Sequence, residues 1–359
     1  MIPYLIMFAV PAIFALMAIR TQSRALWIVA LIYWIMIGFR YQVGMDWNNY
    51  YYTYLREARS SLTISIFSRE QGYRLLMLFS RQIGGGLILV DAIGAFIFCF
   101  GYFSVARRCR EPFLAIAVST PLLVVAFAMS GLRQSIAMGM IFYLFSTWDE
   151  RRTLARVLIV LFATFFHFSA VFVLIFVAAA SRASLFVRAA ASVIVGGFVL
   201  MVIKFAPDSM ELYSSRYVAG PNTMSAPGAI VEVGALALPA LIYLLKRRDW
   251  TAANGDNRLY HHVALASVLA LPSILISSVA AYRFALYFWP MAMYVWSGLP
   301  ALMESPYARA LYRVLLVAAS FAVLVAWLLL ANNSPAWLPY QNWLLQPAGA
   351  SLLRHRFMH

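Results

Sequence analysis

The sequence predicts an all-α, polytopic integral membrane protein with about twelve transmembrane helices, joined by interfacial helices and loops. Two observations carry this reading. Of 359 residues, 64% are hydrophobic and only 11% charged, and the mean hydropathy is +0.79. Soluble domains hold roughly 25% charged residues, and a single water-soluble globule has too little interior to hide this much apolar surface. A soluble enzyme, a disulfide-built secreted scaffold and a disordered chain are all excluded. The second observation is that the apolar residues fall into runs near span length, separated by short basic gaps.

A spanning helix needs about 20 apolar residues, or roughly 17 when flanking side chains snorkel. Runs at 2–19, 25–39, 86–106, 113–129, 133–148, 154–166, 168–181, 189–205, 229–245, 260–280, 284–303 and 311–331 are the twelve candidates. The first reads as a span rather than a cleaved leader, because no basic stretch precedes it. The stretch 154–181 is long for one span and short for two. It is read as a hairpin turning at His167-Phe168-Ser169, with a single helix as the alternative.

The net charge is +15, with 28 basic and 13 acidic residues. Arg20/Arg24, Arg107/Arg108/Arg110, Arg151/Arg152/Arg156, Arg182/Arg188, Lys246/Arg247/Arg248/Arg258 and Arg309/Arg313 occupy every second gap. The positive-inside rule places these at the cytoplasmic face, and the charge is explained by lipid headgroups rather than nucleic acid. The chain then reads as one multi-span domain, 1–359. Residues 40–85 form a periplasmic loop and interfacial helix, 206–228 a second periplasmic loop, and 332–359 a periplasmic tail. Only Lys204 and Lys246 are lysines; arginine, the prevailing cation, suits bidentate phosphate binding.

Several chemistries are absent. No GxxxxGK[ST], HExxH or GxSxG occurs, so a P-loop, a zincin and an α/β-hydrolase are not indicated. Cys99 and Cys109 form no CxxC, and His261-His262 reads as an interfacial pair. No metal and no cofactor are expected.

Four segments carry the candidate chemistry. In GFRYQVGMDWNNYYYTYLREARS (38–60), Arg40 sits at a helix mouth, Gly44 permits a turn, and Asp46 follows. Tyr41, Trp47, Asn48, Tyr50 and Tyr51 fit either an interfacial aromatic belt or a sugar-stacking surface. Asp46 is either a turn cap or a proton acceptor kept ionised by nearby cations. In SREQGYRLLMLFSRQIGGG (68–86), Glu70 precedes an amphipathic helix whose Arg74 and Arg81 share a face, for snorkelling or for phosphate. In SGLRQSIAMGMIFYLFS (130–146), Arg133 opposes the dipole at a helix start and calls for an anionic partner. In FATFFHFSAVF (162–172), His167 is either a satisfied core histidine or a functional group at membrane depth. Arg283 is a further isolated cation between two spans, and Arg216 lies in the second loop.

Taken in order, these segments resemble the EpsG-like family of Wzy-type exopolysaccharide and O-antigen polymerases. The resemblance rests on VGMD after an arginine, a tyrosine-rich stretch, Glu-x-x-Tyr, Leu-Arg-Gln and Phe-His-x-Ser-Ala, over roughly residues 36–175. It is echoed at Ala281-Tyr282-Arg283. It implies a GT-C-like architecture in a bacterial inner membrane, with the reaction on the periplasmic side. A glycan would pass from undecaprenyl diphosphate to the end sugar of another lipid-linked repeat unit, with a chain-length regulator and a flippase as partners. In that reading Asp46, His167 and Glu70 are the catalytic candidates. Arg40, Arg133, Arg283, Arg74 and Arg216 would cradle the diphosphate. A lipid-linked oligosaccharide transporter is the alternative, and a non-catalytic scaffold a weaker third reading.

Overall fold

The computed structural model describes residues 1–19, 24–57, 70–180, 189, 193 and 228–345. The run 189–205 and the second loop therefore fall almost wholly outside the described residues, as does the tail beyond 345. Among the described residues every regular element is helical, and the sole β-type pairing is a bridge between Arg40 and Asn342.

Most of the helices follow the apolar runs, and those at Trp47–Glu57, Gln71–Gln82 and Arg247–Asn254 are polar or amphipathic. In chain order the helices are α1 (Ile2–Leu16), α2 (Ala25–Gly38), α3 (Trp47–Glu57), α4 (Gln71–Gln82), α5 (Gly86–Arg108) and α6 (Pro112–Ser119). After these come α7 (Leu132–Ser146), α8 (Thr153–Thr164), α9 (Leu174–Ala180), α10 (Ala229–Leu245) and α11 (Arg247–Asn254). The last are α12 (Arg258–Ser273), α13 (Ser278–Ala285), α14 (Trp289–Gly298) and α15 (Pro306–Leu330). Two of them, α5 and α15, are long and apolar enough to cross a bilayer alone. A third candidate is α10, which joins α11 at an 87° bend. The expectation of twelve spans is met only in part, because several runs form shorter apolar helices such as α1, α2 and α8.

Breaks in the helices have identifiable causes. From Thr120 to Ala128, α6 continues as a wider π-type helix. Pro121 lacks an N–H and its ring crowds the preceding turn, so the regular ladder loses a hydrogen bond where the wider turns begin. The stretch 154–181 is interrupted at Phe165–His167 and resumes as a 3₁₀ turn, Phe168–Val173. Because α8 and α9 pack against each other, the chain doubles back there, as a hairpin requires.

Without a hydrophobic drive between helices in lipid, close backbone approach holds the bundle together. Parallel helices α5 and α7 meet at Gly101 and Gly139, where a Cβ on Gly101 would stand 1.8 Å from the Gly139 carbonyl oxygen. On the other side of α5, α2 runs antiparallel, its Tyr33 hydroxyl bonded to Thr120 Oγ1 at 2.5 Å. Behind α2 the tail returns: Tyr41 N–H donates to Gln341 O at 2.9 Å and Trp343 N–H to Phe39 O at 2.8 Å. Residues 341–343 thus lie over the mouth of α2.

The bundle has two distinct poles. One carries the end of α2 and the starts of α4, α5 and α7. At the other, Arg108 pairs with Glu150, Arg313 with Glu111 at 2.6 Å, and Arg110 donates to Ala253 O at 3.0 Å. Arg108, Arg110 and Arg313, from three of the basic gaps assigned to the cytoplasm, thus lie at one end among the described residues. Asn49 in α3 and Asp249 in α11 are both exposed and lie at opposite poles. An impermeant thiol reagent on intact cells should label Asn49→Cys and spare Asp249→Cys; the reverse pattern inverts the orientation.

Candidate functional site

At the first pole, residues far apart in sequence converge. Glu70 is the N-cap of α4 and has φ +58°. A non-glycine residue in the left-handed region costs on the order of 1–3 kcal/mol and persists only where its surroundings hold it. Here Gly72 N–H donates to Phe165 O at 2.9 Å, docking the start of α4 on the α8 turn. The Glu70 Oε2 then receives Arg133 Nη1 in an ion pair.

Arg133, the second residue of α7, stands over the Tyr50 ring at 5.5 Å. Its charge opposes the helix dipole, and the anion it requires turns out to be an internal carboxylate. His167 completes the cluster, with Nε2 3.8 Å from Glu70 Oε1. Burial, then the charges of Arg283 and Arg133, hold the His167 imidazole well below its ordinary pKa, so it is neutral. His167 lies in the turn between two helices, where those cations can reach it.

Asp46 joins through its backbone, whose N–H donates to Ser130 Oγ at 3.3 Å. The approach requires Gly44, with φ +99°, since a Cβ there would lie 2.3 Å from the Met129 carbonyl oxygen. Tyr50 connects the two halves. Burial pushes its phenol up to about 12, the Asp46 carboxylate adds to this, and Arg133 opposes it. Arg283, on α13, is tied in at its carbonyl, which accepts from Gln134 Nε2 at 2.6 Å. Asp46, Glu70, Arg133, His167 and Arg283 therefore share one neighbourhood.

Other candidates are placed differently. The sequence puts Arg40 at an open helix mouth, but its side chain is 0% exposed. Its Nη1 donates to Ile37 O at 2.5 Å, and its Nη2 lies 3.8 Å from Asp91 Oδ1. Asp91 supplies the counter-charge from α5 and the returning tail covers the pair, so Arg40 is enclosed rather than presented to a ligand. Arg74 lies one turn beyond Glu70 and is half-buried. Arg216 lies outside the described residues. Of the aromatic group, Asn48 is exposed and Tyr51 half-buried, whereas Tyr41, Trp47 and Tyr50 are buried. Trp47 stacks on Tyr51 at 5.4 Å and Tyr41 meets Trp343 edge-on at 4.4 Å, so these rings spend their faces on one another. An internal aromatic plug describes them better than an open sugar platform.

Sequence reasoning assigned no role to Gln134, Ser130, Ser169 or Tyr287. Gln134 and Ser169 lie inside the quoted motifs, and a polar residue that must be buried beside a motif arginine or histidine was the available signal. Among the described residues no group of three His, Cys, Asp or Glu is placed to hold a metal ion.

Fold and site together define a polytopic helical membrane protein with a cationic and carboxylate cluster at one end of its bundle. The EpsG family model matches residues 24–342, and the chain belongs to that family. No curated protein and no solved structure matches it. Family and fold support a membrane protein with a polysaccharide-polymerase type of role, acting on lipid-linked saccharides.

Gln134 is 2% exposed, and its bond closes the site between α7 and α13. Gln134→Leu should remove this hydrogen bond to the Arg283 carbonyl, at a cost of about 0.5–1.5 kcal/mol, read as a lower melting temperature of the purified protein. An unchanged melting temperature would detach Arg283 from the cluster.

Proposed function

We propose that this protein is a polysaccharide polymerase, a membrane glycosyltransferase that moves a glycan from a lipid diphosphate onto the end sugar of another lipid-linked unit, on the periplasmic side. The observation that carries this reading is the convergence of Asp46, Glu70, Arg133, His167 and Arg283 at one pole. A transport path would call for charges along mid-span positions, and the shared neighbourhood at one end favours one-sided chemistry.

The acceptor is a sugar hydroxyl, whose proton must be taken as its oxygen attacks the anomeric carbon. Asp46 is the first choice for that role. It is half-buried, and Glu70, the nearer carboxylate to Arg133, already has both oxygens facing cationic or imidazole donors. The bond from the anomeric carbon to the diphosphate breaks, and its electron pair leaves on a phosphate oxygen. Arg133 and Arg283 would neutralise the charge gathered there, so that neither a metal nor a nucleotide is required. Arg133 would exchange Glu70 for phosphate as the substrate arrives, one anion replacing another.

A groove of about 360 Å³ supports a lipid-borne substrate. It runs between α5, α7 and α8 and is lined by Ile97, Phe100, Met140, Tyr143, Leu158 and Phe162. Met140 lies seven residues after Arg133 on the same helix face, about 10 Å farther along the axis. An anionic head at Arg133 would set a hydrocarbon chain over this groove.

Asp46→Asn should abolish polymer while lipid-linked single units still bind and accumulate. Arg133→Lys should be impaired too, because an ammonium cannot reproduce the guanidinium fork; losing one charge-assisted bond costs about 1.5–3 kcal/mol. Both are checked by polymer length and yield from purified protein in lipid. Parental polymerisation by Arg133→Ala would overturn the diphosphate assignment, and parental polymer from Asp46→Asn would remove it from the chemistry.

A further inference from the structure

His167 is tied on both sides of its ring, and the ties have a direction. Ser169 N–H reaches His167 Nδ1 at 3.4 Å, as an N-cap to the 3₁₀ turn. A backbone N–H can only donate, so Nδ1 must offer its lone pair. Ser169 Oγ lies 2.7 Å from the same nitrogen and must therefore give it a proton. Its own lone pair faces the Tyr287 hydroxyl at 3.1 Å, which donates in turn. Ser169 and Tyr287 are both buried, at 5% and 0% exposure, so no water competes freely for these bonds. A neutral imidazole carries a single N–H. With Nδ1 accepting, that proton is on Nε2, which faces Glu70 Oε1 at 3.8 Å.

We propose that Ser169 and Tyr287 are positioning residues that fix His167 as its Nε2–H tautomer, so that the ring presents a donor to Glu70 and not a proton acceptor to the substrate. The order is then Tyr287 to Ser169 to His167 to Glu70 to Arg133, from buried core to site. At 3.8 Å the last imidazole contact is electrostatic rather than a formed hydrogen bond. Its effect is to keep positive potential on Oε1 while Arg133 holds Oε2. Glu70 thus stays an anion with a fixed aim when Arg133 turns to another partner. The charged groups that face the ring are Glu70, Arg133 and Arg283. The tautomer stands independently of the polymerase reading, and only its use in Arg133 exchange rests on that reading.

The tautomer is measurable directly. Nitrogen-15 NMR of histidine-labelled protein in bilayers separates the two neutral tautomers and the imidazolium by the shifts of Nδ1 and Nε2. The His167 signals are identified by their loss in His167→Gln. The expected spectrum is the Nε2–H tautomer, persisting at pH about 6, where an ordinary histidine of pKa about 6.5 would be mostly charged. Ser169→Ala should add the Nδ1–H tautomer, and Tyr287→Phe, which keeps the ring packing, should do so to a smaller extent. An Nδ1–H or imidazolium signal in the unaltered protein overturns the proposal. So does a spectrum that neither variant changes.

A turnover arm separates donor from base. Glutamine places an N–H near the Nε2 position and accepts no proton, so His167→Gln should keep polymer output within about tenfold of the parent, with His167→Ala lower. A glutamine variant as inactive as the alanine variant contradicts the donor role. Absence of polymer from the unaltered protein would strike the polymerase reading and leave the NMR result standing.

Discussion

A guanidinium in the first turn of a membrane helix faces the positive end of the helix dipole and has hydrocarbon close by, so it must find a negative partner within the protein. Much of the candidate site depends on how Arg133 meets that requirement. Its partner, Glu70, comes from the N-cap of another helix, where the Glu70 backbone sits in the left-handed region. That contact in turn brings the start of α4 against the α8 turn, and with it His167. The site is therefore assembled by charge satisfaction, whereas helix contacts such as Gly101 with Gly139 set the bundle beneath it.

Arg40 and Asp91 answer the same constraint in a different way. Their side chains are 0% and 2% exposed, and the pair joins the mouth of α2 to the second turn of α5. Breaking such a pair from one side typically costs about 3–5 kcal/mol, because the remaining charge is left buried. One arginine is therefore committed to architecture, and the other stands 45% exposed beside a carboxylate it can exchange. That difference in exposure, more than residue type, separates a structural cation from one available to a ligand.

The sequence carried the coarse organisation well. The run at 229–245 coincides with α10, and the hairpin at His167 followed from a stretch of the wrong length for one span or two. Arg133 was readable as a cation in need of an anion, since dipole and lipid arguments are local. What was not readable depended on distant partners. Burial of Arg40 is decided by Asp91, fifty-one residues on, and by a tail three hundred residues on. The aromatic residues from Tyr41 to Tyr51 have the composition of a sugar-binding surface, but Trp343 and mutual stacking bury most of them. Ser169 stood in plain view within a motif; its role emerged only when Tyr287 was placed beside it.

Glu70 is the resident counter-charge of Arg133, and the pair organises this end of the protein. A double-mutant cycle on the thermal stability of the purified, substrate-free protein tests it most directly, using Glu70→Gln, Arg133→Gln and the combination. Coupled residues in contact show interaction energies of about 0.5–3 kcal/mol. The expected result is a double variant no less stable than the worse single one, since the second substitution removes a charge already left without its partner. Stability losses that simply add would contradict the account.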